Sequence, residues 1–290
     1  MGKCLKSTRN YLSMIVFAHT IFALPFAMIG FFLAIRYTGV PFSPTTLLLV
    51  ILCMVFARSA AMGFNRWADR HFDQRNPRTR DREIPAGIIK SGHALTFTIL
   101  SGMLFITCSA LLNQLCFYLS PVALIIILGY SLTKRYTRWC HLILGLGLSL
   151  APIGAYLAVT GTFSWIPVWF SLMVITWVSG FDIIYALQDV EFDRSQQLKS
   201  VPASYGIQSG LMISGALHVL TAAFVTVAGI ALQLGGFYWA GAIIFIALLI
   251  QQHRLVSQHD LSRVNRAFGT TNGIASVLFA LFVILSIYFR

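Results

Sequence analysis

The stretch that decides the fold is residues 166–187, IPVWFSLMVITWVSGFDIIYAL, which QDVEFD follows at 188–193. The run is apolar except for Asp182 and reaches the roughly 20 residues that an α-helix needs to cross a bilayer. Because lipid offers no hydrogen-bond partner to an open backbone, the run predicts a transmembrane helix. The acidic residues of 188–193 lie where this helix would leave the membrane.

Runs of the same kind recur along the whole chain. Of its 290 residues, 57% are hydrophobic and only 10% are charged, whereas a soluble globular domain has roughly a quarter charged residues. The sequence therefore predicts an all-α membrane protein with nine transmembrane helices in a single polytopic domain over 1–290. The predicted spans are about 12–35, 45–64, 92–112, 117–133, 139–160, 166–187, 207–232, 237–253 and 267–289.

The net charge of +12 is explained by where the basic residues lie. Lys and Arg concentrate in the N-terminal segment and in the loops that follow every second predicted span, and only Arg36, Arg58 and Arg290 fall elsewhere. The positive-inside rule then predicts a cytoplasmic N-terminus and an outside C-terminus. The excess of Lys and Arg over Asp and Glu thus reflects membrane topology, and we expect no nucleic-acid partner.

The nine acidic residues are gathered in two clusters at predicted cytoplasmic helix ends, and only Asp260 lies elsewhere. Acids that serve solubility would be scattered over every loop. The alternative is that each cluster is an exposed helix end of mixed charge, but two such clusters favour a binding site. The clusters are Asp69, Asp73, Asp81 and Glu83, and Asp182, Asp189, Glu191 and Asp193.

Helical spacing would align these carboxylates. Asn65, Asp69 and Asp73 follow one another at intervals of four, and Asp189 and Asp193 repeat the interval. Like charges at that spacing destabilise a helix unless a cation lies between them. Oxygen ligands without His or Cys favour Mg²⁺, which takes one or two carboxylates, waters and substrate phosphates. The pattern predicts that both clusters bind one magnesium-diphosphate.

Basic residues that suit a diphosphate lie beside the acids. Residues 75–82, RNPRTRDR, carry four arginines, whose forks match phosphate oxygens. Anionic lipid headgroups are the alternative partners for such residues, and they suit Arg75, Lys90 and Arg138 better. The candidate diphosphate contacts are Arg78, Arg82, Lys134, Lys199 and Tyr130, which lies four residues before Lys134 on one side of the helix.

Two ionisable residues lie deeper in predicted spans. Arg58 precedes Asn65 by two helical turns, and Asp182 precedes Asp189 by the same distance. Charges at that depth are costly and face a cavity or a partner. One interpretation is a structural Arg58–Asp182 ion pair, and the other is a polar pocket beneath the metal site.

The clusters are part of a weak internal repeat. The spacing of Asp69 and Asp73 recurs four helices later, and Lys134 recurs as Arg254. This repeat predicts two four-helix halves that face one cavity, followed by a last helix.

At these positions the chain resembles the UbiA superfamily of intramembrane prenyltransferases. The resemblance implies nine transmembrane helices around a central cavity, a lateral opening for a lipid tail, and two Mg²⁺ that join the Asp motifs to a polyprenyl diphosphate. The matching motifs are Arg58-Ser59-Ala60, Asn65-x3-Asp69-x3-Asp73, Arg78-Thr79, Tyr130-x3-Lys134, Gly180-Phe181-Asp182-Ile183-Ile184-Tyr185-Ala186-x-Gln188-Asp189-x3-Asp193 and Lys199-Ser200.

The resemblance also implies roles for individual residues. Arg66 departs from the family pattern, because many members have a second acid there. The implied metal ligands are Asn65, Asp69, Asp73, Asp189 and Asp193, with the four aspartates and Lys134 catalytic. The implied substrate-binding residues are Arg58, Asn65, Tyr130, Asp182, Tyr185, Arg78, Arg82 and Lys199.

The branch of the family that the chain resembles is the 4-hydroxybenzoate polyprenyltransferase-like one, which includes prenyltransferases of the futalosine route to menaquinone. It implies an aromatic hydroxy-acid acceptor, either hydroxybenzoate-like or dihydroxynaphthoate-like, and a bacterial inner-membrane location with the site facing the cytoplasm.

Two other functions are alternatives to prenyl transfer. A divalent-cation transporter could use the Asp clusters as its ion site, but transporters place coordinating groups near the bilayer midplane on broken helices. An alcohol phosphotransferase also has an Asp-x3-Asp element, but its longer DGxxAR-type signature is missing from this sequence.

Overall fold

A computed structural model describes Met14, residues 22–258 and residues 260–289. These residues form α-helices joined by loops, with one isolated β-bridge between Ser257 and Asp260. The helices are α1 (Leu24–Thr38), α2 (Pro44–Ala68), α3 (Arg70–Arg75), α4 (Ser91–Leu112), α5 (Gln114–Thr133), α6 (Cys140–Thr160), α7 (Val168–Ala186), α8 (Val190–Ser195), α9 (Val201–Tyr205), α10 (Ile207–Ala231), α11 (Gly236–Leu255) and α12 (Asn272–Tyr288), with a 3₁₀ turn at Leu187–Asp189 and a π-helical turn at Arg266–Thr271.

Eight helical segments of the described residues are long and apolar enough to cross a membrane, and they coincide with the second to ninth predicted spans. The chain is an integral membrane protein. The predicted first span, 12–35, overlaps the 15-residue helix α1 and otherwise lies largely outside the described residues, as do Lys3, Lys6 and Arg9. The count of nine spans and the orientation of the termini therefore stay predictions.

Local sequence explains where the spans begin. Ser43 precedes α2 and accepts a hydrogen bond at Oγ from Thr46 N at 3.2 Å, with Pro44 at the first helical position. A single residue, Asn113, separates α4 from α5, and its Oδ1 accepts a hydrogen bond from Cys116 N at 2.9 Å. Capping of this kind satisfies backbone groups that lipid would leave unpaired.

Glycines bring two pairs of helices into backbone contact. A Cβ added to Gly30 of α1 would collide with the carbonyl oxygen of Pro152 in α6, and one added to Gly145 of α6 would lie 2.5 Å from that of Ile175 in α7. Small residues of this kind let membrane helices approach closely enough to gain packing contacts. Helix α6 is thereby fixed between α1 and α7, where it carries one wall of the cavity described below.

The molecule is packed differently in two regions. Helix α7 is the most deeply buried of the eight segments, and it lies against α1, α10 and α12 in a core rich in aromatic rings. Trp177 of α7 is fully buried between Phe26, Phe181 and Phe245. Helices α2, α4, α5 and α6 have no comparable core and line a cavity instead.

Candidate active site

The first acid cluster lies at a break between α2 and α3. Helix α2 ends at Ala68, yet helical hydrogen bonds continue across the break, from Asp69 N to Asn65 O at 2.9 Å and from Asp73 N to Asp69 O at 2.8 Å. The predicted neighbours meet, since Asn65 Nδ2 donates to Asp69 Oδ2 at 3.1 Å. Asn65 also donates to Ser131 Oγ of α5 at 3.4 Å.

The second acid cluster does not share one continuous helical face. Helix α7 ends at Ala186, and a 3₁₀ turn at Leu187–Asp189 separates it from α8. A 3₁₀ turn winds the chain more tightly than an α-helix, so Asp182, Asp189 and Asp193 do not lie on one uninterrupted α-helix. Asp189 and Asp193 are both buried.

Each of the four aspartates in the two motifs contacts one basic side chain. Without these cations, the carboxylates would repel one another, because little solvent is present to screen their charge. All four cations come from residues 78–135, so the aspartates of the second cluster are paired across the molecule. The pairs are Asp69 with Arg135 (3.3 Å), Asp73 with Arg82 (2.7 Å), Asp189 with Arg78 (Nε to Oδ1, 3.0 Å) and Asp193 with Lys134 (2.8 Å).

The loop after α3 reaches the second cluster. Arg78 contacts both carboxylate oxygens of Asp189 and donates to the Tyr185 hydroxyl at 2.8 Å. Asn76 Nδ2 donates to the same Asp189 at 3.1 Å. A planar fork on a carboxylate is geometrically specific, and its donors also match the oxygens of a phosphate.

Lys134 and Lys199 lie at the junction of α5 with the loop before α9. Lys134 ends α5 beside Asp193, whose Oδ2 accepts from Ser200 Oγ at 3.2 Å. Lys199 N donates to Lys134 O at 2.6 Å, but Lys199 Nζ donates to the Tyr136 carbonyl at 3.2 Å. Lys199 thus supports the position of Lys134 through its backbone, while its ammonium contacts a carbonyl.

The protonation of the site follows from burial and charge. Burial raises the pKa of Asp69 to about 6, and the neighbouring carboxylate of Asp73 adds to the effect, although Arg135 opposes it. Burial by itself would lower the pKa of Lys134, but the charge of Asp193 outweighs this and raises it. Lys134 is therefore a permanent cation at neutral pH.

Arg58 and Tyr130 form the polar end of the cavity. Of the two interpretations of Arg58 and Asp182, the ion pair is not formed, since Asp182 Oδ2 instead lies 2.7 Å from His141 Nδ1. Among the described residues, Arg58 Nε is buried without a hydrogen-bond partner. A buried guanidinium N–H without a partner is costly, so its position favours a ligand in the cavity.

The cavity beneath the site has a volume of about 270 Å³. Its walls are apolar and come from α2, α4, α5 and α6, with Ala23 before α1. It begins at Arg58 and Tyr130 and ends near the far end of α5 at Cys116. The cavity lies between the two predicted four-helix halves, because α2, α4 and α5 belong to the first half and α6, the fifth predicted span, begins the second. Arg254, the predicted counterpart of Lys134, is exposed and in no ion pair within the described chain.

The acid clusters fit Mg²⁺ by the chemistry of their donors. Oδ2 of Asp73 is buried without a hydrogen-bond partner among the described residues, and an unsatisfied carboxylate oxygen suits a hard cation. No group of three or more His, Cys, Asp or Glu side chains in the described part of the chain converges on one point. Magnesium that keeps waters and substrate phosphates needs only one or two carboxylates, so the two clusters suit a cation bound with its substrate.

Arg66, the departure from the family pattern, is in none of the ion pairs of the described residues. Its side chain is buried, and Nε donates to Met14 O at 3.4 Å. Sequence reasoning missed His141, which is buried in α6 beside Asp182. A histidine within a membrane span is itself a signal of function, and it could have been noticed on that ground.

Comparisons with known proteins match almost the whole chain. Residues 23–286 match the UbiA prenyltransferase family. The 4-hydroxybenzoate octaprenyltransferase of Chromohalobacter salexigens is 32% identical over 238 residues, which are 81% of this chain and 78% of that protein. The enzyme of the same name from Nitrosomonas europaea is 32% identical over 248 residues, covering 83% and 82%.

Two solved structures share the fold. The apo structure of a UbiA homolog from Aeropyrum pernix K1 superimposes with a TM-score of 0.83 at 30% identity, covering 92% of this chain and 97% of the other. A UbiA homolog from Archaeoglobus fulgidus bound to GPP and Mg²⁺ superimposes with a TM-score of 0.75 at 20% identity, covering 96% and 99%. The second likeness shows the arrangement of helices alone.

Proposed function

Because this chain belongs to the UbiA prenyltransferase family, we propose that it transfers a polyprenyl group from a polyprenyl diphosphate to an aromatic ring in quinone biosynthesis. The observation that carries the proposal is the junction of two features at one end of the helices. Four aspartates, three of them buried and each paired with a cation, lie at helix ends, and Arg58, three turns before Asp69 on α2, is the polar end of an apolar cavity. A diphosphate with a lipid tail matches both features.

The acid clusters would hold the metal ions and the diphosphate together. Asn65, Asp69 and Asp73 supply oxygens from the first cluster, and Asp189 and Asp193 supply them from the second. Bound Mg²⁺ would neutralise charge that develops on the leaving diphosphate oxygens. The Archaeoglobus homolog that binds GPP with Mg²⁺ supports this choice of cation.

The basic side chains would change partners when the donor binds. Arg78, Arg82 and Lys134 each contact an aspartate in the structure. Metal ions on the aspartates would free these cations for phosphate oxygens, since a carboxylate shared with Mg²⁺ attracts them less. They would then stabilise negative charge where it appears as the allylic C–O bond breaks. Tyr185 and Tyr130 would add hydroxyl contacts.

The apolar cavity would hold the prenyl tail and exclude water. An allylic carbocation is captured as an alcohol by any water molecule within reach, so transfer to the ring needs a dry site. Walls made of alkyl side chains from α2, α4, α5 and α6 meet that need.

Arg58 would bind the aromatic acceptor. Its Nε lacks a hydrogen-bond partner among the described residues, and it lies in the cavity wall with Tyr130. A guanidinium suits the carboxylate of an aromatic hydroxy acid. The relatives named as 4-hydroxybenzoate octaprenyltransferases favour a hydroxybenzoate acceptor over a dihydroxynaphthoate. We further propose that the site faces the cytoplasm of a bacterial inner membrane, as the basic loops indicate.

A divalent-cation transporter is the second candidate. It would place its acids along a path through the membrane, whereas these acids lie at helix ends and are closed by ion pairs above an apolar cavity. Among the described residues, this cavity offers a passing ion the hydroxyls of Ser109, Ser120 and Tyr130 but no carboxylate, so we favour the prenyltransferase.

The test is transfer itself. Purified protein in detergent is incubated with Mg²⁺, a labelled farnesyl or longer diphosphate and a panel of hydroxybenzoate and hydroxynaphthoate acceptors. We expect a prenylated aromatic product only with Mg²⁺ present. Thermal stabilisation by Mg²⁺ alone, with none added by the prenyl diphosphate and no product, would favour the transporter.

A further inference from the structure

A second polar contact lies deeper than the ion pairs, between α6 and α7. His141 Nδ1 is 2.7 Å from Asp182 Oδ2. The two side chains differ in exposure, since that of His141 is 2% exposed and that of Asp182 is 22%. The carboxylate is therefore the member that a ligand can reach, and the imidazole lies behind it.

The protonation of this imidazole follows from its other contact. Val201 N donates to His141 Nε2 at 3.3 Å. Because a backbone N–H can only donate, Nε2 must carry a lone pair, so the ring proton is on Nδ1 and points at Asp182. His141 is then a neutral donor whose tautomer is fixed by the first residue of α9.

This partner distinguishes Asp182 from the aspartates of the two motifs. In the described part of the chain, each of those four contacts an Arg or Lys, whereas Asp182 contacts an imidazole and no Arg or Lys. A cationic partner stabilises a carboxylate and weakens it as a base. A neutral donor orients the carboxylate and leaves more of its basicity.

The position of Asp182 suits a reaction at the polar end of the cavity. His141 lies one helical turn before Leu144 and two turns before Leu148, which line the cavity, so the His141–Asp182 pair lies at the same end of the cavity as Tyr130. Oδ1 of Asp182 has no partner among the described residues. An acceptor held by Arg58 would thus lie beside a carboxylate oxygen that is free to take a proton.

We propose that Asp182 is the general base that removes the ring proton after prenyl transfer, and that His141 is the residue that positions it. The inference rests on the proposed function. Breaking the allylic C–O bond leaves its electron pair on the diphosphate, and the ring then bonds to prenyl C1, so the substituted ring carbon carries both a hydrogen and the prenyl group. Asp182 takes that hydrogen as a proton, and the C–H electron pair restores the aromatic ring. The proton then leaves to water when the products dissociate.

The kinetic test separates proton removal from binding. The acceptor is used with hydrogen or deuterium at the ring position that is substituted, and kcat and KM are measured for both substrates. We expect Asp182→Asn to lower kcat by about 10²- to 10⁴-fold, the range of general base catalysis, with the donor KM unchanged. His141→Phe is expected to lower kcat less and to make deuteration slow the reaction, because proton removal becomes rate-limiting.

Two further variants and a control make the test specific. His141→Asn keeps a donor near the Nδ1 position and should recover most of the lost kcat. Val201→Pro removes the N–H that fixes the tautomer, at a helix position where proline is tolerated, and should give a partial defect with the same isotope dependence. The control is Ser179→Ala, since the hydrogen bonds that Ser179 Oγ donates within the described residues go to the backbone carbonyls of His141 and Ile175. It should leave kcat and the isotope dependence as in wild type.

The outcomes separate this inference from the proposed function. If wild-type protein transfers prenyl groups but His141→Phe and Val201→Pro keep wild-type kcat and show no isotope dependence, the inference is overturned and the proposed function stands. A defect confined to acceptor KM would make Asp182 a binding residue and would also overturn it. A wild-type protein that transfers to no acceptor would overturn both.

Discussion

Two regions of this molecule are built from similar helices but are packed differently, one around a dense core and the other around a cavity. The first of them, α7 to α12, surrounds Trp177 and Phe279 with aromatic rings and leaves little space. The second, α2 with α4 to α6, leaves a cavity of about 270 Å³ lined with small and aliphatic side chains. We call the densely packed region, α7 to α12, the support, and the region that encloses the cavity, α2 with α4 to α6, the container.

Charge is divided between the two regions just as unevenly. The cations paired with the motif aspartates all come from residues 78–135, including the two that contact Asp189 and Asp193. The support contributes acids to the site and receives cations from the container. The Arg78–Asp189 and Lys134–Asp193 ion pairs therefore join the container to the support at the face where the diphosphate is proposed to bind. The proposed diphosphate site depends on both regions, whereas the cavity lies in the container alone.

The largest expected effect tests whether the site needs both regions. Asp69→Asn removes a carboxylate at the end of α2 in the container, and Asp193→Asn removes one of the support. We expect each to lower prenyl transfer by more than about 10³-fold, because each would remove a ligand that acts on the developing charge. Product formation from labelled donor is the measurement, with size-exclusion elution in detergent as the check on folding.

The conservative changes keep the volume of each side chain, so an inactive variant should still elute as wild type. Full activity of both variants with Mg²⁺ present would refute the metal site. Activity lost in one and kept in the other would place the metal in one region alone.

The next effect concerns stability and distinguishes the support from the container. Phe279→Ala deletes a fully buried ring among Phe26, Phe170 and Phe245, and we expect a loss of about 3–5 kcal/mol in unfolding free energy. Ile126→Ala deletes atoms from the cavity wall, where space already exists, and should cost far less. Unfolding in mixed detergent measures both, and equal losses would show that the two regions are packed alike.

A smaller effect concerns the polar end of the cavity. Arg58→Ala should raise KM for the aromatic acceptor by about 10- to 100-fold, in line with a hydrogen bond to a charged group, and leave the KM of the donor near wild type. The measurement is KM for each substrate at saturating concentrations of the other. A defect confined to the donor would move Arg58 from the acceptor site to the diphosphate.

Contacts within one stretch of sequence were more predictable than those between stretches. The spacing of Asn65 and Asp69 predicted their contact because helical geometry alone sets it. The break at Leu187–Asp189 was missed, since nothing in its composition marks a change from α to 3₁₀ winding. The Arg58–Asp182 ion pair, one of two interpretations, is not formed because the partner of Asp182, His141, belongs to a helix whose rotation depends on long-range packing. The uneven division of cavity and core was hidden for the same reason, because both regions have similar hydrophobicity.

The smallest effect tests whether the container sets the length of the prenyl tail. Ala123→Phe places a ring in the cavity wall on α5, while Ala216→Phe places the same ring on the exposed face of α10 in the support. Overfilling an apolar site costs about 1–3 kcal/mol, which corresponds to roughly tenfold or more in affinity. We expect Ala123→Phe to raise KM by about that factor for a long polyprenyl diphosphate and much less for geranyl diphosphate, and Ala216→Phe to change neither. Competition between the two donors in one reaction measures the ratio directly. If Ala123→Phe left that ratio unchanged, the tail would lie outside this cavity, and the division into container and support would describe packing without describing specificity.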